Sequence, residues 1–426
     1  MTINNSLYIG ISGLQANGEA ISIVGDNISN SSTVGYKRDR ASFSDLLGGQ
    51  LNDSRMGGGV RLGSSQTMWD QGAITQTGNP LDLAINGGGT FVVKGNHGGQ
   101  TGQYYTRDGR FHVDDQGFIT DQEGLRLQGF SIDPTGTRAL SATDLPVGAA
   151  QSPPVATTTA SLNLNLDANA VVPGAFNPAD PNTTSNYATS ATVYDSLGAA
   201  HHVEVFFRSQ GAGAWEYHAM VDGGDLTGGT PGQLTEIAGG SLNFDPSGAL
   251  ASQTSNAPGA SFVNAAPGQV INFKFGDDIA SGGTGMAGTT QFAAASSVNG
   301  LNIDGRASGK LTSIAISDDG KITGVFDNGD KIALAQVALA DFANNDGLQR
   351  AGDGLMTESP TSGKPLIDAP GTGARGSVSS GALESSNVDL SNELVTLIAY
   401  QRAFEANAKT VTTADEMMQD VNNLKR

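Results

Sequence analysis

The chain of 426 residues contains no cysteine. That absence excludes disulfides, thiolate metal sites and cysteine nucleophiles together. Charged residues are scarce at 15%, and aromatics make up only 6%. No stretch approaches the ~18 consecutive apolar residues that span a bilayer, so membrane insertion is not expected. Met1 to Ser12 has neither a basic region nor a continuous apolar one, which excludes a Sec-type signal peptide. Positive charge is in short supply: 23 Lys and Arg against 42 Asp and Glu leave a formal net charge of −19. Nucleic acid and anionic membranes are poor partners for such a surface.

Glycine, in contrast, is abundant at 59 residues. Together with Asn, Asp, Ser and Thr it marks many tight turns, and so short antiparallel strands. The expected class is mainly β with α-helical termini.

The two ends differ from everything between them. Leu7, Ile11, Leu14, Ile21 and Ile28 recur in alternating steps of four and three, with Gly18 and Gly25 at the intervening seam positions. This is a heptad stripe, weakened by about 1 kcal/mol at each Gly relative to Ala. Leu390, Leu394, Leu397, Phe404, Ala408, Val411 and Met418 repeat the spacing near the C-terminus, with Gln401 and Asp415 as polar interruptions. Asp389 or Ser391 can cap that second helix, Glu393 suits its positive end, and Lys425 and Arg426 suit its negative end. Each helix carries an apolar stripe that needs a partner, in the same monomer or in another copy.

Between the ends the period falls to two. Strands are expected at Leu81–Ile85, Thr90–Lys94, Arg110–Asp114, Phe118–Asp121 and Leu125–Asp133, separated by glycine turns. A second set covers Leu162–Asp167, Ala191–Asp195, His202–Arg208, Trp215–Val221 and Val270–Phe275. A third covers Leu311–Ser317, Ile322–Phe326 and Lys331–Ala338, followed by a short helical-looking piece at Asp341–Asn344. Ala149–Thr159 and Ala280–Thr290 read as linkers by composition. The expected division is a paired, coiled-coil-like helical domain (1–30 and 386–426), connecting segments (31–72 and 371–385), and two nested discontinuous β-domains. Of these, the inner comprises 73–148 and 291–370, and the outer is the insertion 149–290.

Chemical motifs are thin. Gly371-Thr372-Gly373-Ala374-Arg375-Gly376 matches G-x-G-x-x-G but lacks the strand before and helix after that a dinucleotide site requires. His201 and His202, adjacent on a strand, point to opposite faces and cannot share a metal easily. Asp318-Asp319-Gly320 and Asp327-Asn328-Gly329-Asp330 read as hairpin turns, without the spaced oxygens and distal Glu of a calcium loop. No catalytic, cofactor or metal site is expected.

The termini carry more specific information. Ser12-Gly13-Leu14, Asn27-Ile28-Ser29-Asn30, Thr33, Gly35-Tyr36-Lys37, and Phe43 with Asp45-Leu46-Leu47 resemble the N-terminal signature of the bacterial flagellar axial proteins, the rod, hook and hook-associated subunits. Asp26 and Tyr36 stand where several members have Asn and Phe. Gly381, Leu383-Glu384, Ser386-Asn387-Val388-Asp389-Leu390, Gln401-Arg402, Phe404 and Asn407-Ala408-Lys409 are similar to the family's C-terminal signature. Gly78–Asp82, Ala84-Ile85, Gly89–Phe91 and Thr106–Gly109 with Phe111 add inner matches. Val193–Gly198 followed by His202–Arg208 and Trp215 is similar to the outer domain of hook subunits in particular.

The resemblance implies a structural protein that polymerises into a flexible curved tube, a universal joint passing torque from rod to filament. It implies that the terminal helices of many copies pack in the tube's core, mobile in the monomer and ordered in the assembly. It also implies an extracellular location, export without a cleaved signal, no cofactor, and contacts with distal rod, hook cap, hook–filament junction proteins and the export apparatus. A distal rod or hook-associated subunit is the alternative within the family. A secreted β-rich adhesin or carbohydrate-active protein is the alternative outside it, and it requires two facing carboxylates in a cleft.

Overall fold

A computed structural model describes residues 3–51, 54–133, 135–148 and 150–423. Lys425 and Arg426, expected to close the last helix, lie outside the described residues. The chain divides into two compact units, Met1–Ala150 with Thr312–Val325 and Lys331–Arg426, and Gln151–Leu311 with Phe326–Asp330.

The first unit begins with the helix Ile3–Ser29 and ends with the helix Leu390–Asn423. Asp389 is the cap of the second: its Oδ1 accepts from Ser391 N at 2.9 Å and Asn392 N at 3.2 Å. Antiparallel strands Lys331–Val337, Arg126–Ser131, Thr90–His97, Gln100–Thr106, Leu355–Thr357 and Gln349–Gly352 lie side by side in that order. Leu83–Asn86 pairs with Ser377–Ser380, and Ile74–Gln76 with Ala382–Glu384, so the segment leading into the last helix is stitched to the start of the β region. The core gathers Leu83, Ile85, Phe91, Val93, Phe111, Leu127, Val337 and Val378. Beside it, Tyr105 meets Phe342 edge-on at 4.8 Å.

The second unit is built on a five-stranded antiparallel sheet, Tyr187–Tyr194, Ala200–Gly211, Ala214–Asp222, Leu234–Phe244 and Leu250–Asn256. Thr159–Asp167 forms a smaller sheet with Asn272–Lys274 and Thr290–Phe292 in parallel and Ser297–Ile303 antiparallel. Leu162, Leu164 and Leu166 share one core with Val203, Phe207, Trp215, Tyr217, Phe273 and Phe275.

Three expectations change. Ala280–Thr290 is no linker: Gly276 bridges Gly288, and Thr289 Oγ1 donates to Leu162 O at 3.0 Å. Its small residues serve close packing, and the unit runs on to Leu311 rather than stopping at 290. Within Ala149–Thr159, Gln151–Ser152 pairs with Lys310 and Gly309. Asp341–Asn344 is not helical, because Leu339–Asp341 is held as a strand by Phe91 and Thr90, and the helical turn is Asn345–Gly347. Strands that sequence periodicity misses include Gln100–Thr106, Leu234–Phe244, Leu250–Asn256 and the pair Phe43–Leu51 with Ser54–Leu62.

Candidate functional site: the helix pair and its junction

The N-terminal helix turns a face of small and polar residues to the rest of the chain. Gly10, Gly13, Asn17, Ala20, Val24 and Asn27 are all buried, in alternating steps of three and four. The helix in front of them is the C-terminal one, running antiparallel. A Cβ on Gly10 would stand 2.8 Å from Val411 Cγ2, and one on Gly13 would stand 2.6 Å from Asn407 Oδ1. At the far end Asn27 Nδ2 donates to Glu393 Oε2 at 3.2 Å. Two glycines therefore set how closely the backbones approach.

The large apolar residues of the heptad stripe sit off this seam, about one residue step or 100° around the helix. Leu7, Leu14, Ile21 and Ile28 are half-buried, and Ile11 is exposed. On the partner helix, Leu397, Ala408, Val411 and Met418 are half-buried, while Leu390, Leu394 and Phe404 are exposed. Val395 and Ile398, which the stripe did not include, are exposed as well, at 68% and 50%. The helices pair within the chain and still present apolar surface outward.

Where the helices meet the β region, the termini's short motifs converge. Asn27 is fully buried; its Nδ2 also donates to Asp39 O at 2.7 Å, and its Oδ1 accepts from Asp39 N at 2.9 Å. Arg38 N donates to Asn387 Oδ1 at 2.8 Å, and Asn387 Nδ2 donates to Met68 O and Asp70 O at 2.8 and 3.0 Å. Asn30 closes the first helix, donating to Asp26 O at 2.9 Å and accepting from Thr33 Oγ1 at 3.1 Å. Gly35 takes φ +68°, and a Cβ there would meet the Arg107 carbonyl carbon at 2.5 Å. Only glycine fits.

At the centre of this junction lies Glu384, fully buried between two cations. Lys37 Nζ reaches its Oε1 at 2.6 Å, and Arg107 Nη1 its Oε2 at 3.0 Å. Gly72 N donates to the same Oε1 at 2.9 Å. Lys37 also donates to Asp70 O at 2.9 Å, and Arg107 to Gly87 O at 2.7 Å. Burial pushes the pKa of both cations down, against the pull of Glu384. A third arginine, Arg350, braces the rim: it donates to Lys37 O at 2.7 Å, pairs with Asp39 at 3.1 Å and stacks 5.0 Å from the Tyr36 ring.

The strand Ser54–Leu62 lies on the first helix, where Val60 N donates to Ser12 Oγ at 3.2 Å. Phe43 meets Tyr400 of the last helix at 5.8 Å between ring centres. Among the other motif residues, Asn407 Nδ2 donates to Ala403 O at 2.9 Å, while Gln401 and Arg402 are exposed. A cleft of about 450 Å³ opens beside the junction, lined by Asp26, Tyr36, Asp108, Arg110, Glu123 and Arg350 among others.

Other sequence candidates are accounted for structurally. His201 is buried, between Asp195 Oδ2 at 3.3 Å and Asp225 Oδ2 at 3.2 Å, and stacks on Phe262, whereas His202 is exposed. Among the described residues no three His, Cys, Asp or Glu side chains are grouped to hold a metal ion. Gly371–Gly376 is a tight turn closed by Gly371 N to Gly376 O at 2.9 Å. Gly320 and Gly329 both take positive φ in hairpin turns. No described helix is long and apolar enough to cross a membrane.

Family models match four stretches. They are a flagella basal body rod protein (7–37), a flagellar hook protein FlgE/F/G D1 domain (84–170), a flagellar basal body protein FlaE D2 domain (165–306) and a flagellar basal body rod FlgEFG protein C-terminal segment (379–424). The Escherichia coli flagellar hook protein FlgE is 32% identical over 97% of this chain and 98% of its own. The chain belongs to the flagellar hook protein family. The hook protein FlgE of Treponema pallidum is 34% identical over 99% of both chains. A solved Helicobacter pylori hook protein, FlgE2, aligns with 73% of this chain and all of its own at 14% identity and a TM-score of 0.44. Hook membership makes this a structural subunit of the flagellum, outside the cell. The first and last matched segments of this hook chain hold Asn27, Gly35, Lys37, Glu384, Asn387 and Glu393, the residues of the junction.

Proposed function

We propose that this subunit polymerises through its terminal helices into the flexible curved tube of the hook, a universal joint that carries torque from rod to filament. The observation behind this reading is the apolar surface left on a helix pair that is already closed: Tyr8, Ile11, Leu390, Leu394, Val395 and Ile398 all stay exposed. Burying one such side chain fully is worth about 1.5–3 kcal/mol, part of which the ordering of neighbouring copies cancels. Many copies repeating the contact make a tube from individually modest gains.

On this reading the leucines and isoleucines of the stripe face neighbouring copies, and the seam of small residues holds each subunit's own two helices together. The junction around Glu384 then passes force from the helices to the β region. The chain works without catalysis or cofactor, leaves the cell without a cleaved signal through the flagellar export apparatus, and meets distal rod, cap and junction proteins at the ends of the tube.

The test is Leu394→Asp combined with Ile398→Asp in the full chain. Electron microscopy is expected to show no tubes, with thermal unfolding unchanged because both side chains are exposed. Tubes of normal length from this variant would overturn the reading.

A further inference from the structure

The outward face of the helix pair carries charge as well as apolar surface. Glu19 and Asp26 stand seven residues apart on the first helix, both exposed. Arg402 and Lys409 stand seven apart on the last helix, also exposed. The ion pair that joins the last helix to the rest of the unit uses Glu393 and Arg38, and among the described residues none of these four makes one. Asp26 accepts from Tyr36 OH at 3.4 Å and Asn30 Nδ2 at 3.3 Å, and its charge reaches Arg350 across the cleft without a direct ion pair.

A seven-residue step is about 10.5 Å along a helix and returns to nearly the same side. Two acidic groups at this spacing on one helix match two basic groups at this spacing on another, and in an antiparallel pair Glu19 meets Lys409 when Asp26 meets Arg402. The chain's own pair does run antiparallel, but its register sets Gly13 against Asn407 and Asn27 against Glu393. That register puts Arg402 and Lys409 out of step with Asp26 and Glu19. Matching Glu19 to Lys409 and Asp26 to Arg402 needs a last helix shifted by about eight residues, roughly 12 Å toward the junction. The chain's own helix is fixed by the seam and cannot make that shift. A second copy can.

We propose that Glu19 and Asp26 of one subunit pair with Lys409 and Arg402 of a neighbouring copy of this chain, setting the axial stagger between subunits. The inference rests on the helices forming the polymer core and adds the register in which they meet. Apolar stripes attract without specifying register, whereas two charge pairs at fixed spacing penalise every slip that opposes like charges.

The test uses full-length chains. Glu19→Lys with Asp26→Lys is expected to raise the protein concentration needed for polymerisation at least about tenfold, and so is Arg402→Glu with Lys409→Glu. Circular dichroism should show both variants folded, because all four side chains are exposed. The chain carrying all four reversals should polymerise again at near the original concentration. Mixing the two double variants should give tubes that neither forms alone, the sign of pairing between copies. Polymerisation of either double variant at the original concentration would overturn the proposal, as would failure of the fourfold variant to recover. Leu394→Asp separates the two readings: if it blocks tubes while the charge reversals do not, the core stands and the charge register falls.

Discussion

Asn27 on the first helix and Glu393 on the last are hydrogen-bonded at 3.2 Å although 366 positions separate them in the chain. The contact is buried and polar, and it lies where both helices hand over to the β region. The β core of this unit is held by apolar packing, which tolerates small shifts. A buried amide with a fixed donor and acceptor set tolerates few, so this pair fixes the angle at which the helices leave.

Asn27→Ala therefore removes a donor to Asp39 O and Glu393 and an acceptor for Asp39 N. Leaving those groups buried without partners should cost about 1–3 kcal/mol. Urea denaturation monitored by hydrogen exchange on the first helix would measure it, with the second unit serving as an internal reference.

Glu384→Gln should be more damaging, because it leaves Lys37 and Arg107 as buried cations without a counter-charge. Breaking a buried pair in this way costs about 3–5 kcal/mol. Adding Lys37→Met and Arg107→Met to Glu384→Leu should recover most of that loss, since an apolar cluster of similar volume carries no desolvation penalty. A midpoint for the triple variant below that of Glu384→Gln would show that the charges contribute net stability.

Gly13→Ala tests the seam. In an isolated helix the change favours helicity by about 1 kcal/mol. Here the new Cβ would meet the Asn407 side-chain amide at 2.6 Å, so that amide must leave its place or the helices must part. A net destabilisation of about 1–3 kcal/mol is expected, as for overpacking in a core, with a lower midpoint despite higher intrinsic propensity. Gly10→Ala should add to it through Val411.

Alkaline titration should expose Tyr105. Its hydroxyl is held above the ordinary tyrosine range by burial, with the Glu358 charge adding to the effect. In the unfolded chain a tyrosine ionises near pH 10, so above that pH the folded state binds more protons than the unfolded one. The stability contribution is complete below about pH 10 and is lost as pH rises toward the folded value. Tyr105→Phe should flatten the decline, as read from denaturation midpoints across that range.

Much of this was legible in the sequence, and the failures have physical causes. Both helices are where the heptads place them, and Asp389 caps the second as its side chain predicts. The face that each turns inward was not legible, because large apolar residues dominate a periodicity while Gly10, Gly13, Ala20 and Asn27 form the contact. Leu234–Phe244 holds Ala-Gly-Gly in its middle, which breaks the alternation that marks a strand. Gln100–Thr106 begins with four polar or glycine residues, and only Tyr104, Tyr105 and Thr106 are buried. The terminal motifs were recognisable as words, but their meaning depended on distance: Lys37 and Glu384 lie 347 positions apart, and no local pattern could join them.

The same separation imposes an order on folding. A chain made from its N-terminus exposes Lys37 and Arg107 long before the Glu384 that answers them exists. Until Glu384 arrives, closing the junction would strand two cations out of water. An interrupted chain thus lacks the one carboxylate that lets this junction close, because Glu384 comes 347 positions after Lys37.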